Sequence, residues 1–107
     1  MVVQEYVSAG RSSPYREWLN GLDTKTRARI QARVLRFEIG NLGDHKSVGA
    51  GVWEARVMFG PGYRIYFGKV GNDVVLLLCG GDKGSQDKDI RTAQKYWADY
   101  LEAAKNG

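Results

Sequence analysis

The segment Val52-Trp53-Glu54-Ala55-Arg56-Val57-Met58-Phe59-Gly60-Pro61-Gly62-Tyr63-Arg64-Ile65-Tyr66-Phe67-Gly68-Lys69-Val70-Gly71-Asn72-Asp73-Val74-Val75-Leu76-Leu77-Leu78-Cys79-Gly80 decides the fold. It holds three strand candidates, 52–59, 63–69 and 73–80, rich in β-branched and aromatic side chains. Gly60-Pro61-Gly62 separates the first two and Gly71-Asn72 the last two. Both are short turn signals, so the three strands should form an antiparallel meander. Val74–Leu78 is apolar on both faces, which fits a central strand.

Alternation along these strands sorts the side chains. Glu54 and Arg56 share one face, with Trp53, Ala55 and Val57 on the other. Arg64 and Tyr66 share a face, with Tyr63, Ile65 and Phe67 opposite. If the apolar sets lie against helices, Glu54, Arg56, Arg64 and Tyr66 are left together on an open face. Lys83, just past the last strand, can reach the same rim.

Helices are expected on both sides of the meander in sequence. Residues 2–8 read as a first strand, and Gly10-Arg11-Ser12 as a turn. Ser13-Pro14 is an N-cap followed by proline at the first helical position, opening a short helix with Tyr15, Trp18 and Leu19 that stops at Asn20-Gly21. Asp23 or Thr24 caps a longer helix ending near Gly40. It carries one apolar stripe of Ile30, Val34 and Phe37 and a second of Ala28, Ala32, Leu35 and Ile39. Lys25, Arg29, Arg33 and Arg36 lie between the stripes as a basic ridge expected to face solvent. Residues 41–51, rich in Gly, Asn, Asp and Ser, should be a loop. A last helix, roughly 86–104, shows an apolar stripe of Ile90, Ala93, Trp97, Leu101 and Ala104. The pattern predicts an α+β sheet with helices packed on it.

A chain of 107 residues supports one compact domain, 1–107. No stretch reaches the length of a membrane span, and the N-terminus does not read as a signal peptide. Cys79 is the only cysteine, so no intramolecular disulfide and no Cys/His zinc cluster can form. These features favour a cytoplasmic setting with no metal or other cofactor. The net charge is +4, and Lys25, Arg27, Arg29, Arg33 and Arg36 lie in a stretch without an acid. Such a field suits phosphate backbones or an acidic protein. The segment Gly80-Gly81-Asp82-Lys83-Gly84 lacks the spacing of a nucleotide-binding P-loop.

Several stretches taken together resemble the RelE/ParE toxin superfamily, and most nearly its HigB-like, "addiction module killer protein" branch. They are Gly51-Val52-Trp53-Glu54-Ala55-Arg56, Phe59-Gly60-Pro61-Gly62-Tyr63-Arg64-Ile65-Tyr66-Phe67, Leu76-Leu77-Leu78-Cys79-Gly80-Gly81-Asp82-Lys83, Gln86-Asp87-Lys88-Asp89-Ile90 and Tyr96-Trp97. The resemblance implies a β-α-α-β-β-β-α order, with a mainly antiparallel four-stranded sheet and helices on one face. It also implies a type II toxin held inactive by a cognate antitoxin, usually a helix-turn-helix protein. RelE- and HigB-like toxins are metal-independent endoribonucleases that cut mRNA on the ribosome and so inhibit translation. ParE-like members poison DNA gyrase instead, and a degenerate member could bind antitoxin without catalysis, so the fold does not choose among them.

The resemblance puts Arg56 and Arg64 where the family's RNases keep basic active-site residues, and Lys83 near the basic residue that follows the final strand. Arg64 is then expected to bind the phosphate or transition state, with Arg56 and Lys83 as further phosphate contacts. Glu54 is the candidate proton acceptor, and Tyr66 a candidate donor or base-stacking residue. Lys25, Arg29, Arg33 and Arg36 are the candidate contacts to RNA or ribosome. The bland alternative is a solvated ion pair among Glu54, Arg56 and Arg64 that contributes little. The family's tyrosine or histidine after the last strand has no counterpart in Gly84-Ser85-Gln86-Asp87-Lys88-Asp89, and the single histidine, His45, lies before the second strand.

Overall fold

The computed structural model describes residues 1–106. Strands β1 (Val2–Glu5), β2 (His45–Ser47), β3 (Trp53–Val57), β4 (Tyr63–Val70) and β5 (Val74–Asp82) form one mixed sheet in the order β1-β5-β4-β3-β2. Helices α1 (Pro14–Asn20) and α2 (Thr24–Glu38) follow β1, and α3 (Gln86–Asn106) follows a single 3-10 turn at Lys83–Ser85. No helix among the described residues is long and apolar enough to cross a membrane.

The expected meander is present: β3 pairs with β4, and β4 with β5, all antiparallel. The sheet nevertheless has five strands, not four. β1 runs parallel to β5, with Val2 opposite Val74 and Glu5 opposite Leu77. The stretch expected to be one loop, 41–51, contains β2, which pairs His45 with Ala55 and Ser47 with Trp53. Three residues bracketed by glycines give too short a period-2 signal to read as a strand. Pairing with β3 creates the strand, helped by the left-handed Gly49, Ala50 and Gly51 that turn the chain back into β3.

The helices cover both faces of the sheet, not one. Helices α1 and α2 bury Tyr15, Leu19, Ile30 and Phe37 against Ala55, Ile65, Phe67, Val75 and Leu77. On the other face α3 lays Ala93 and Trp97 over Val52, Tyr66, Leu76 and Leu78. The reason lies in β5: a central strand apolar on both faces needs cover on both. A bulge between Tyr66 and Phe67 shifts the β4–β5 register, and Leu78 and Cys79 both belong to the cluster under α3. The last two positions of the α3 stripe run past the sheet, leaving Leu101 and Ala104 exposed.

Helix starts follow the sequence. Ser13 Oγ accepts from the Arg16 amide at 3.1 Å, and the Asp23 carboxylate accepts from the Thr26 amide at 3.3 Å. The two-flank reading of α2 does not hold. Its buried side is Thr26, Ile30, Arg33 and Phe37, spaced three and four apart as a single inward face requires. Leu35 and Ile39 of the second stripe are 61 % and 82 % exposed, and Ala28 and Ala32 are exposed too.

Two indoles lock the helices to the sheet by the same device. The six-membered ring of Trp97 lies directly on Gly68, and that of Trp18 lies on Gly80 from the opposite face. A Cβ at either glycine would overlap the ring. Gly68→Ala and Gly80→Ala should each destabilise the fold by about 1–3 kcal/mol through overpacking. Leu35→Ala, on the exposed side of α2, should stay within about 0.5 kcal/mol of the parent. Urea unfolding of the three variants checks both.

Candidate functional site

The β3–β4 register puts Arg56 directly opposite Arg64, and Glu54 directly opposite Tyr66. The four side chains therefore share one face, as the alternation requires. That face is not open at Glu54 and Tyr66, because α3 begins above them. Both residues have 0 % solvent exposure.

Glu54 is the hub. Its Oε2 accepts hydrogen bonds from Tyr66 Oη at 3.1 Å and from Gln86 Nε2, at the start of α3, at 2.9 Å. Two guanidiniums reach the same carboxylate: Arg56 Nε is 3.5 Å from Oε1, and Arg64 Nε is 3.8 Å from Oε2. The second distance is beyond hydrogen-bond range, so that contact is electrostatic, and Arg64 Nε has no hydrogen-bond partner. Arg64 Nη1 instead donates to the Gly62 carbonyl at 3.0 Å. The Lys83 amide donates to that same carbonyl at 3.0 Å, which ties the turn after β5 to the turn before β4.

This geometry changes the roles expected of Glu54 and Tyr66. The Glu54 carboxylate has no solvent exposure and is already met by two donors and two cations, so it does not lie on the open face where a proton acceptor was expected. The Tyr66 phenol pKa is raised far above its ordinary value by burial first and by the neighbouring Glu54 carboxylate second. It keeps its proton for Glu54 and presents no ring face to a base. Glu54 and Tyr66 form instead the buried support of the arginine pair. Tyr66 holds Glu54, and Glu54 holds Arg56, whose side chain is 38 % accessible, and Arg64, at 11 %, near the turn that joins β3 to β4.

Lys83 is exposed on the 3-10 turn. The turn is capped by Asp82, whose Oδ1 accepts from the Gly84 amide at 2.8 Å, and is braced by Ser85 Oγ donating to Asp89. Lys83, Gln86, Lys88 and Arg91 line a shallow polar depression of about 340 Å³. Gln86 thus joins the depression to the Glu54 hub. Gln86 opens one of the stretches that carry the resemblance, but nothing in the sequence pairs it with Glu54, 32 residues away in another element. Cations at this rim are suited to gripping phosphate oxygens.

The basic ridge of α2 is broken. Lys25, Arg29 and Arg36 are exposed, but Arg33 is buried and donates from Nη2 to the Asp44 carbonyl at 3.0 Å. Its guanidinium lies 5.8 Å from the Phe37 ring centroid. Burial first, and Arg36 second, lower its pKa from the ordinary arginine value. Arg33 clamps the loop before β2, which takes it out of the solvent-facing ridge expected of α2. His45 lies on the face opposite Arg56, with its ring 5.5 Å from Trp53 and 6.3 Å from Phe67. It stands apart from the arginine pair.

No family model matches the chain. A protein of Haemophilus influenzae (strain ATCC 51907 / DSM 11121 / KW20 / Rd), described as an "Uncharacterized protein", is 47% identical over 78 residues, covering 72% of this chain and 79% of that protein. The chain belongs to that protein's family.

Removing the hub carboxylate leaves two guanidiniums facing each other without a counter-charge. Glu54→Ala should cost about 3 kcal/mol, the low end for breaking a buried ion pair, because Arg56 keeps partial access to water. Glu54→Gln retains the shape and should cost less. A Glu54→Ala unfolding midpoint equal to the parent's would remove Glu54 from the centre of the site.

Proposed function

We propose that this chain is a type II toxin of the RelE/ParE kind, in the HigB-like branch, that cuts messenger RNA on the ribosome. The observation that carries the reading is the arginine pair: Arg56 faces Arg64 across β3–β4, and a buried Glu54 holds both from behind. Two cations fixed in this way, with Lys83 on the adjoining turn, suit a phosphodiester better than a protein surface.

In such a cleavage the 2′-hydroxyl gives its proton to water as its oxygen attacks the adjacent phosphorus, and the 5′-oxygen departs with a proton from water, leaving a 2′,3′-cyclic phosphate and a 5′-hydroxyl. Charge builds on the non-bridging oxygens. Arg64, with Gly62 and Glu54 fixing its guanidinium, is the group to meet that charge, and Arg56 and Lys83 hold the phosphate. The work assigned to these residues is charge stabilisation and orientation, without a metal ion. The reading places the protein in the cytoplasm, with ribosome and mRNA as targets and a cognate antitoxin, of helix-turn-helix type, as partner.

A second reading has one observation in its favour. Burial of Glu54 and Tyr66 withdraws both expected proton-transfer groups, which suits a relative that binds RNA or antitoxin without cutting. Primer extension on a defined mRNA, with and without programmed ribosomes, separates the two. The first reading expects ribosome-dependent cuts that fall roughly 100- to 1,000-fold in rate in Arg64→Ala, with growth arrest lost. Arg64→Lys should recover only part, because a point charge replaces a fixed fork. A folded parent protein that makes no cuts in either condition rejects the RNase reading.

A further inference from the structure

The turn between β3 and β4 carries a second surface, on the face opposite Arg56. Phe59 and Tyr63 stack with centroids 6.5 Å apart and planes 28° from parallel. Trp18 continues the row, 6.5 Å beyond Tyr63. Phe59, Tyr63 and Trp18 are all only partly buried. At the outer end the Arg29 guanidinium lies over the Phe59 ring, 4.7 Å from its centroid. Arg29 is exposed and has no carboxylate partner among the described residues. Beside it the tip is apolar and uncovered, with Met58 84 % exposed.

An aromatic face covered only by an exposed, unpaired guanidinium is a face that another flat group can take over. Nucleobases stack on aromatic faces and on arginine planes alike. A base entering between Phe59 and Arg29 would gain both contacts and displace nothing but solvent and one side chain. The surface adjoins the cationic rim through a single residue. Gly62 closes the turn by donating from its amide to the Phe59 carbonyl at 3.1 Å. Its own carbonyl receives Arg64 Nη1 and the Lys83 amide. Aromatic ring and phosphate-gripping guanidinium therefore lie on either side of one tight turn, an arrangement that suits one nucleotide's base and a nearby phosphate.

We infer that Phe59 and Arg29 form a stacking site for one unpaired base of single-stranded RNA, with Tyr63 as the platform behind Phe59. The inference rests on the RNA reading of the Arg56–Arg64 rim and adds to it the subsite that sets the position of the strand. Apolar cover over Phe59 from a protein partner is the competing outcome.

The test uses the whole protein and a short single-stranded oligoribonucleotide carrying 2-aminopurine, whose fluorescence falls on stacking, with affinity read separately by anisotropy. The parent should bind the oligomer and quench the probe. Phe59→Leu should abolish the quenching and weaken binding roughly 5- to 100-fold, while keeping the salt dependence that phosphate contacts impose. Arg64→Ala should do the reverse, lowering affinity and flattening the salt dependence. Arg29→Gln changes only an exposed side chain, so it serves if Phe59→Leu proves unstable, and it should also reduce quenching. Quenching and affinity unchanged in both Phe59→Leu and Arg29→Gln, with Arg64→Ala still weakened, would overturn the stacking site and leave the phosphate rim standing. A parent protein that binds no single-stranded RNA overturns the stacking site, and leaves the ribosome-dependent reading of the rim to the primer-extension result.

Discussion

One carboxylate organises the working end of this molecule. Taking Glu54 fully out of water costs several kcal/mol unless its oxygens are met by donors and opposite charge. Tyr66 and Gln86 supply the donors, and Arg56 and Arg64 the charge. The demand fixes three elements at once: β3 carries the acid, β4 carries Tyr66 and Arg64, and α3 must begin where Gln86 can reach across. Trp97 then seats the middle of α3 on Gly68. The start of the helix is thus held by a polar contact and its middle by an apolar one, and the arginines are oriented as a by-product of solving the burial of Glu54.

The meander was legible because its signals are local. The glycine turns at 60–62 and 71–72 stand between runs of alternating or apolar residues, and the strands form there. The parts that were not legible depend on distant partners. β2 exists because β3 offers it an edge, and β1 finds β5 from the far end of the chain. The covering of both faces was implied by Val74–Leu78, apolar at every position. Assigning Glu54 and Tyr66 to an open face gave polarity in β3 and β4 more weight than apolarity in β5, and the structure reverses that weighting.

At the site, the alternation placed Arg56 and Arg64 correctly side by side, since period 2 is a property of the backbone. It could not report that the last helix starts above Glu54, because alternation within the strands says nothing of where a distant helix docks. The same blindness affects α2. Four basic residues within one quadrant read as a ridge, yet the inward spacing Thr26, Ile30, Arg33, Phe37 takes one of them inside. Arginine can follow an apolar face with its stem and spend its charge on a backbone carbonyl, here that of Asp44.

The parallel pairing of β1 with β5 has a consequence for how the chain reaches this state. The β3–β4–β5 meander closes through short turns and can form early. The β1 ladder joins residues near the start of the chain to a strand near its end, and so bears a large loop-closure entropy that must be met before any contact is gained. Until it docks, the apolar edge of β5 lies bare. Folding from a ribosome, this chain exposes that edge from the moment β5 emerges until its first strand returns, and the speed of that return sets how long a half-made sheet is open to pairing with a stranger.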